Sequence, residues 1–301
     1  MTTTTAAEAA ARTSGDGPAV SAEDLRFSYG DIEAVKGISF DIAAGEIFGF
    51  LGPNGAGKTT TIKMLTGQLQ PKSGAVRIMG RDAGRDDPQT QARIGVCFEE
   101  KNLYDAMSGE ENLRFFAALY GAEGVDTGAL LGRVGLADRA SDRVGSYSKG
   151  MRQRLMVARS ILHQPMVLFL DEPTDGLDPV SSVAIRGIIR EEAERGAAVL
   201  LTTHDMWEAD ELSHRVAFIN EGQLYAIDTP ENLKLQHGRR SVKVRRRDGA
   251  GVNEESYALD DPAVGEQLRA AVESDGLMTI HTEESTLENI FVEMTGRTLE
   301  A

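Results

Sequence analysis

A single cysteine, Cys97, stands in 301 residues, so no disulfide can form within the chain. That suits a reducing compartment. Long apolar stretches are also missing. No segment approaches the roughly 18 apolar residues that cross a bilayer. The run at 167–170 is short and reads as a buried strand. Positive charge is in deficit: 32 Lys and Arg against 47 Asp and Glu give a net charge of −15. A general nucleic-acid binder carries a basic face, so nucleic acid is not expected as a partner. The first twenty residues have no apolar centre and contain Glu8, unlike a secretory signal. Their Thr, Ala, Ser and Gly content predicts a disordered tail over 1–20. There is no internal repeat. If the protein works at a membrane, a partner must hold it there.

What is present is ordinary for a globular protein: 41% hydrophobic and 26% charged residues. The length suggests about two domains and is ample for a core. Leu25, Phe27 and Tyr29 alternate with polar residues, as do Ile38, Phe40 and Ile42, which predicts half-buried strands from about Val20. Residues 47–51 are apolar on both faces, the pattern of a central parallel strand. A glycine-rich turn and a helix over 58–69 follow. Residues 71–100 hold short strand signals split by Gly74, Gly80 and Gly84, and 102–164 read mostly helical. A buried strand at 167–170, a helix over 179–195 and a strand at 198–202 come next. Asn220-Glu221-Gly222 is a hairpin turn between 216–219 and 223–227. Alternating strands and helices predict an α/β fold with a mostly parallel sheet.

Composition shifts near residue 238. Arg239, Arg240, Lys243, Arg245, Arg246 and Arg247 crowd together, and the chain turns acidic after Gly249. Residues 239–301 are expected to be a small appended domain. The basic run could touch anionic lipid or nucleic acid. Val242 and Val244 alternate with its charges, so the preferred reading is an exposed edge strand kept soluble by them.

Gly52-Pro53-Asn54-Gly55-Ala56-Gly57-Lys58-Thr59, followed by Thr60, matches G-x-x-x-x-G-K-[ST] in full. Glycines let such a loop wrap closely, so backbone N–H groups point inward at phosphate oxygens. A helix starting near Lys58 adds its positive N-terminal end. Lys58 is expected to reach the β- and γ-phosphates, and the Thr59 hydroxyl to hold Mg2+. The loop alone means only a nucleoside triphosphate. Val167-Leu168-Phe169-Leu170-Asp171-Glu172 supplies the carboxylates. Asp171, ending a buried strand, suits Mg2+ held through water, and Glu172 suits a general base for the attacking water. Acidic residues at strand ends are common in α/β sheets; beside a complete phosphate loop the catalytic reading takes precedence.

The combination resembles the ATP-binding subunits of ABC transporters over roughly residues 21–238. Tyr29 is similar to the aromatic residue that stacks on adenine. Ser148-Lys149-Gly150-Met151 resembles the signature loop, whose serine and glycine bind the γ-phosphate held by the other subunit. Asp175-Gly176-Leu177-Asp178 resembles the D-loop, which lies along the dimer seam. His204, in Thr202-Thr203-His204-Asp205, resembles the switch histidine that contacts the γ-phosphate. Each also has a plain structural reading: a strand tyrosine, a helix N-cap at Ser148, a histidine at a strand end. Two departures stand out. Tyr147, Lys149 and Met151 replace the family's leucine, second glycine and glutamine. Glu99, in Ile94-Gly95-Val96-Cys97-Phe98-Glu99-Glu100, replaces the glutamine that senses Mg2+ and the attacking water. Glu99 thus joins Thr59 and Asp171 as a metal candidate, and hydrolysis is expected to rest on Glu172, His204 and Lys58.

The resemblance implies a P-loop (RecA-like) ABC ATPase core over 21–238, with a helical subdomain about 101–165 and a C-terminal α+β appendage. It implies ATP and Mg2+ as cofactors and a head-to-tail dimer with a second ABC ATPase subunit, identical or different. Each ATP would lie between the P-loop of one chain and the signature loop of the other. It also implies a separate membrane permease that holds this cytoplasmic chain at the inner face of the cell membrane. Ribosome-acting members usually carry two cassettes, and DNA-repair members insert a long coiled coil. The interval from Thr59 to Ser148 has room for neither, which favours a transporter. Ser285-Thr286-Leu287-Glu288-Asn289-Ile290-Phe291-Val292-Glu293-Met294-Thr295-Gly296-Arg297 resembles the ending of drug- and sodium-exporter ATPases, and Asp228-Thr229-Pro230-Glu231-Asn232-Leu233 their connector. Leu287, Ile290, Phe291 and Met294 also fall at helical spacing, as in an amphipathic helix packed on the small domain. Export is therefore expected, with import as the alternative.

Overall fold

The computed structural model describes residues 17–83, 87–98, 102–122, 124–238, 241–248, 251–259, 261–283 and 285–297. In chain order the elements are β1 (Val20–Tyr29), β2 (Ile32–Ile42), β3 (Ile47–Leu51), α1 (Lys58–Leu65), β4 (Ser73–Ile78), β5 (Arg81–Asp82), α2 (Pro88–Gln91), β6 (Ile94–Cys97), α3 (Gly109–Leu119), α4 (Thr127–Arg133), α5 (Lys149–Ile161), β7 (Val167–Asp171), α6 (Pro179–Glu194), β8 (Ala198–Thr203), α7 (Met206–Leu212), β9 (Arg215–Asn220), β10 (Gln223–Asp228), α8 (Pro230–His237), β11 (Ser241–Asp248), β12 (Gly251–Ala258), α9 (Val264–Glu273), β13 (Leu277–Glu283) and α10 (Leu287–Thr295). Of the expected tail, residues 1–16 lie outside the described residues. Ala19 and Val20 are already buried, so order begins just before residue 21. Among the described residues no helix is long and apolar enough to cross a membrane.

Two compact units divide the chain between Ile227 and Asp228. The expected boundary at 238/239 falls inside the second unit, because α8 packs on α10. The first unit holds two sheets. A six-stranded sheet runs β10-β9-β3-β8-β7-β6, and its pairs β6–β7, β7–β8, β8–β3 and β3–β9 are parallel. A separate sheet, β2-β1-β4-β5, is antiparallel. Its β1–β2 hairpin turns at Gly30, whose φ of 57° is easy for glycine.

The parallel strands explain the continuous apolar runs. Every residue of β3, β7 and β8 is buried. Side chains alternate across a strand. Leu168, Leu170, Val199 and Leu201 therefore join the core under α3–α6, while Phe169, Ala198 and Leu200 join the core shared with the antiparallel sheet. Deleting one such buried ring, as in Phe169→Ala, costs about 3–5 kcal/mol. Helix α1 ends at Leu65, four residues earlier than its sequence pattern predicts. Thr66 Oγ1 takes the Ile62 carbonyl at 2.9 Å, and Gly67 turns into the left-handed region.

The second unit corrects another expectation. β11 is the centre, not the edge, of the sheet β12-β11-β13. Val242 and Val244 point inward onto Ala271, Leu268 and Tyr257. The basic side chains face acidic partners on β12. Arg245 Nε meets Glu254 at 2.6 Å, Lys243 lies 3.7 Å from the same carboxylate, and Arg246 bonds Glu255. The run is a cross-strand charge ladder. Arg239 and Arg240 lie outside the described residues. In α10, Leu287, Ile290 and Phe291 are buried and Met294 partly so, matching the predicted apolar face.

Candidate functional site

Strand β3 delivers the chain into Gly52–Thr59 at the carboxyl end of the parallel sheet, and α1 leaves from it. Close approach requires glycine at two points. A Cβ on Gly52 would sit 2.1 Å from the Ile219 carbonyl. One on Gly57, with φ 108°, would sit 2.7 Å from the Ala34 carbonyl. Gly57 is also the N-cap position of α1. Lys58 is 6% exposed, and its Nζ donates to the Gly52 carbonyl at 2.6 Å. It also lies 3.4 Å from the Pro53 carbonyl and 3.2 Å from Glu172 Oε1. That last contact is an ion pair without hydrogen-bond geometry.

Two neighbouring parallel strands bring the carboxylates to the same place. Asp171 ends β7 and is 1% exposed. Thr59 Oγ1 donates to its Oδ2 at 2.7 Å, and Thr202 Oγ1 of β8 donates to its Oδ1 at 2.5 Å. Glu172 follows with φ 49°, a conformation that costs a non-glycine residue on the order of 1–3 kcal/mol. Its N–H is held by Thr202 O and Thr202 Oγ1, both at 3.1 Å, and its carbonyl accepts from Gln153 Nε2 at 3.3 Å. The turned backbone places Glu172 Oε2 2.9 Å from His204 Nδ1. Thr59 and Asp171, 112 positions apart in sequence, and Glu172 and His204, 32 apart, thus meet around one carboxylate pair. A cleft lined by Tyr29, Ala34, Pro53, Asn54, Gly55, Gly57, Lys58, Thr59, Thr60, Asp171 and Glu172 opens there. Tyr29 is 49% exposed and edge-on to Phe27, with its ring free to receive a planar group.

The remaining sequence candidates lie elsewhere. Ser148, Lys149, Gly150 and Met151 do not line this cleft. Ser148 is the N-cap of α5 and accepts from Met151 N at 3.2 Å. Lys149 pairs with Asp175 at 2.7 Å, tying this loop to the 175–178 loop. Met151 packs on the core under α3–α6, as does Leu177. Tyr147 is buried where the family has leucine, and its hydroxyl donates to the Arg139 carbonyl at 2.6 Å. Asp178 caps α6. The Ser181 hydroxyl, then the Ser181 N–H, hold its carboxyl below the usual range. Glu99 lies outside the described residues. Thr202 and Gln153 are site residues that the sequence pattern does not single out. Thr202 lies two residues before His204, but only the sheet register shows that it faces Asp171.

The family model described as ABC transporter matches residues 35–175. The fluoroquinolones export ATP-binding protein of Mycobacterium tuberculosis is 44% identical over 300 residues, 99% of this chain and all of that protein. The chain belongs to the ATP-binding proteins of ABC transporters. The linearmycin resistance ATP-binding protein of Bacillus subtilis is 34% identical, over 92% of this ABC ATPase and 98% of that protein. A solved structure of an ATP-binding subunit of an ABC transporter superposes with a TM-score of 0.67 at 29% identity, covering 72% of this chain and 92% of that one. This ABC ATPase binds and hydrolyses ATP, and it resembles the ATPases of exporter systems.

Proposed function

We propose that this ABC ATPase is the motor of an exporter for drug-like small molecules, working on a separate membrane permease from its cytoplasmic side. The carrying observation is the convergence of Lys58, Glu172 and His204 beside the phosphate loop. The full-length likeness to a protein named for fluoroquinolone export supports export over import. In this reading Gly52–Thr60 cradle the phosphates, Lys58 leaves Glu172 to meet them, and Tyr29 stacks on adenine. Glu172 takes the proton of the attacking water, and His204 holds that carboxylate and the γ-phosphate in register. Thr59 and Asp171 offer hard oxygens 2.7 Å apart, the donor chemistry Mg2+ requires. The ion would neutralise charge on the phosphates. Glu99 is the further candidate ligand.

Ser148 and Gly150 do not line the cleft, which supports a site completed by another chain. A second ABC ATPase subunit supplies them head to tail, and closure around two ATP molecules drives the permease. The test is ATP-dependent dye or fluoroquinolone efflux from inverted vesicles containing the ATPase and the membrane protein that co-purifies with it. Efflux into the lumen supports the reading. Uptake that depends on an added substrate-binding protein would make it an importer.

A further inference from the structure

Among the described residues, α3, α7 and α9 carry glutamate at their third position, and those of α3 and α7 behave differently. In α3, Glu111 closes the ordinary capping box: its carboxylate accepts from the Ser108 N–H at 2.7 Å. In α7 the equivalent residue is Glu208, and the N-cap is Asp205. Here the N-cap N–H is taken by Thr203 Oγ1 at 3.0 Å. Glu208 is free of the box and turns inward, with only 1% of its surface exposed. Its Oε2 accepts from Thr174 Oγ1 at 2.7 Å, while Oε1 has no hydrogen-bond partner.

Burying a carboxylate with one oxygen unpaired costs stability, because the desolvation is only partly repaid. Burial indeed pushes the Glu208 carboxyl up; the Thr174 hydroxyl opposes this, Asp205 adds to it, and Arg186 and the Thr203 hydroxyl oppose it. A well-packed apolar residue would avoid that cost. What the carboxylate gains is a connection. Thr174 lies two residues after Glu172 and directly before Asp175, the first residue of the 175–178 loop. Glu208 lies four residues after His204. The Thr174–Glu208 bond therefore joins the same two chain segments as the Glu172–His204 bond, through residues that do not line the cleft.

We infer that Glu208 is a positioning residue: its buried bond to Thr174 sets the spacing between the Glu172 carboxylate and His204 and holds the start of the 175–178 loop. The inference rests on the proposed roles of Glu172 and His204. It assigns Glu208 no contact with ATP. Loss of the bond lets the two segments separate, so hydrolysis suffers and capture of ATP does not.

The test compares Thr174→Val, which keeps shape but loses the hydroxyl, with Thr174→Ser, which keeps the hydroxyl. Steady-state phosphate release and thermal melting are measured for each, with Glu172→Gln in parallel. Thr174→Val is expected to lower kcat at least about tenfold with KM for ATP within about twofold, since small misplacements of reacting groups are costly. Thr174→Ser should restore most of kcat. If Thr174→Val melts below the assay temperature, Thr174→Val/Glu208→Met removes both partners and leaves no unpaired carboxylate; it should fold and show the same loss of kcat. Full kcat in Thr174→Val or in the double variant overturns the inference, as does Thr174→Ser failing alongside Thr174→Val. A Glu172→Gln chain that still turns over overturns the site assignment beneath it, a result told apart by Glu172→Gln itself.

Discussion

Glu172→Gln probes the catalytic assignment most directly. The amide keeps the size of the side chain and one carbonyl oxygen, but it cannot take a proton from water. General-base catalysis contributes about 10²–10⁴-fold. Turnover should therefore fall at least about 100-fold, or about 2.7 kcal/mol at 1.36 kcal/mol per factor of ten. Binding should survive, because the phosphate loop is intact. Lys58 loses an ionic partner at 3.2 Å but keeps the Gly52 carbonyl at 2.6 Å, so it is not stranded. His204 Nδ1 can still donate to the remaining oxygen. Removing one charge contact of this kind costs about 1–3 kcal/mol, and in a chain of this size each kcal/mol lowers Tm by about 2–4 °C. The variant should remain folded at assay temperature and accumulate as an ATP-bound dimer. The measurements are phosphate release, equilibrium binding of a fluorescent ATP analogue, and sedimentation with ATP. Turnover within about threefold of the wild type, in a chain that binds ATP, refutes the role given to Glu172.

Ser148→Arg should abolish hydrolysis while the monomer's affinity for ATP changes little, because Ser148 stands outside the chain's own cleft; a large loss of monomer affinity argues the opposite. A chain ended after Ile227 should melt cooperatively and still bind ATP; a broad, non-cooperative melt would show that the second unit completes the core. Glu99→Gln should keep hydrolysis and weaken its dependence on Mg2+ concentration, and superimposable Mg2+ titrations would remove Glu99 from the metal site. His163 supplies a pH test. Burial, reinforced by the Arg195 charge, holds its imidazole below the ordinary 6.5, against the pull of the Ile94 carbonyl. The folded chain thus favours neutral His163, so this contribution is complete above about 6.5 and is lost as pH falls below it. His163→Leu should be less stable at pH 7.5, lacking the 3.0 Å bond to Ile94, yet lose less Tm between pH 7.5 and 5.5 than the wild type.

Much of this protein is local and therefore readable in sequence. The phosphate loop is one contiguous string, and its strand-before, helix-after setting is written in periodicity: five apolar residues, glycines, then a helical stretch. The same holds for Ile290 and Phe291 in α10 and for the alternation of Val242 and Val244 with charged residues. Pairing partners are another matter. Val242 and Val244 look alike in an edge strand and in a central one. Only the arrival of β13 on the far side makes β11 central and turns a basic run into a ladder with Glu254 and Glu255. Asp171 lies about thirty positions from Thr202 and His204, and nothing between them says that β7 and β8 are neighbours in register. The fate of Glu208 likewise depended on which acceptor reached the Asp205 N–H first, a competition settled by how Thr203 is held in β8. Sequence determined the elements and the phosphate loop, because their causes act within a few residues. Tertiary structure decided strand order, the company of each carboxylate and the inward turn of Glu208, because those depend on burial among segments distant in the chain.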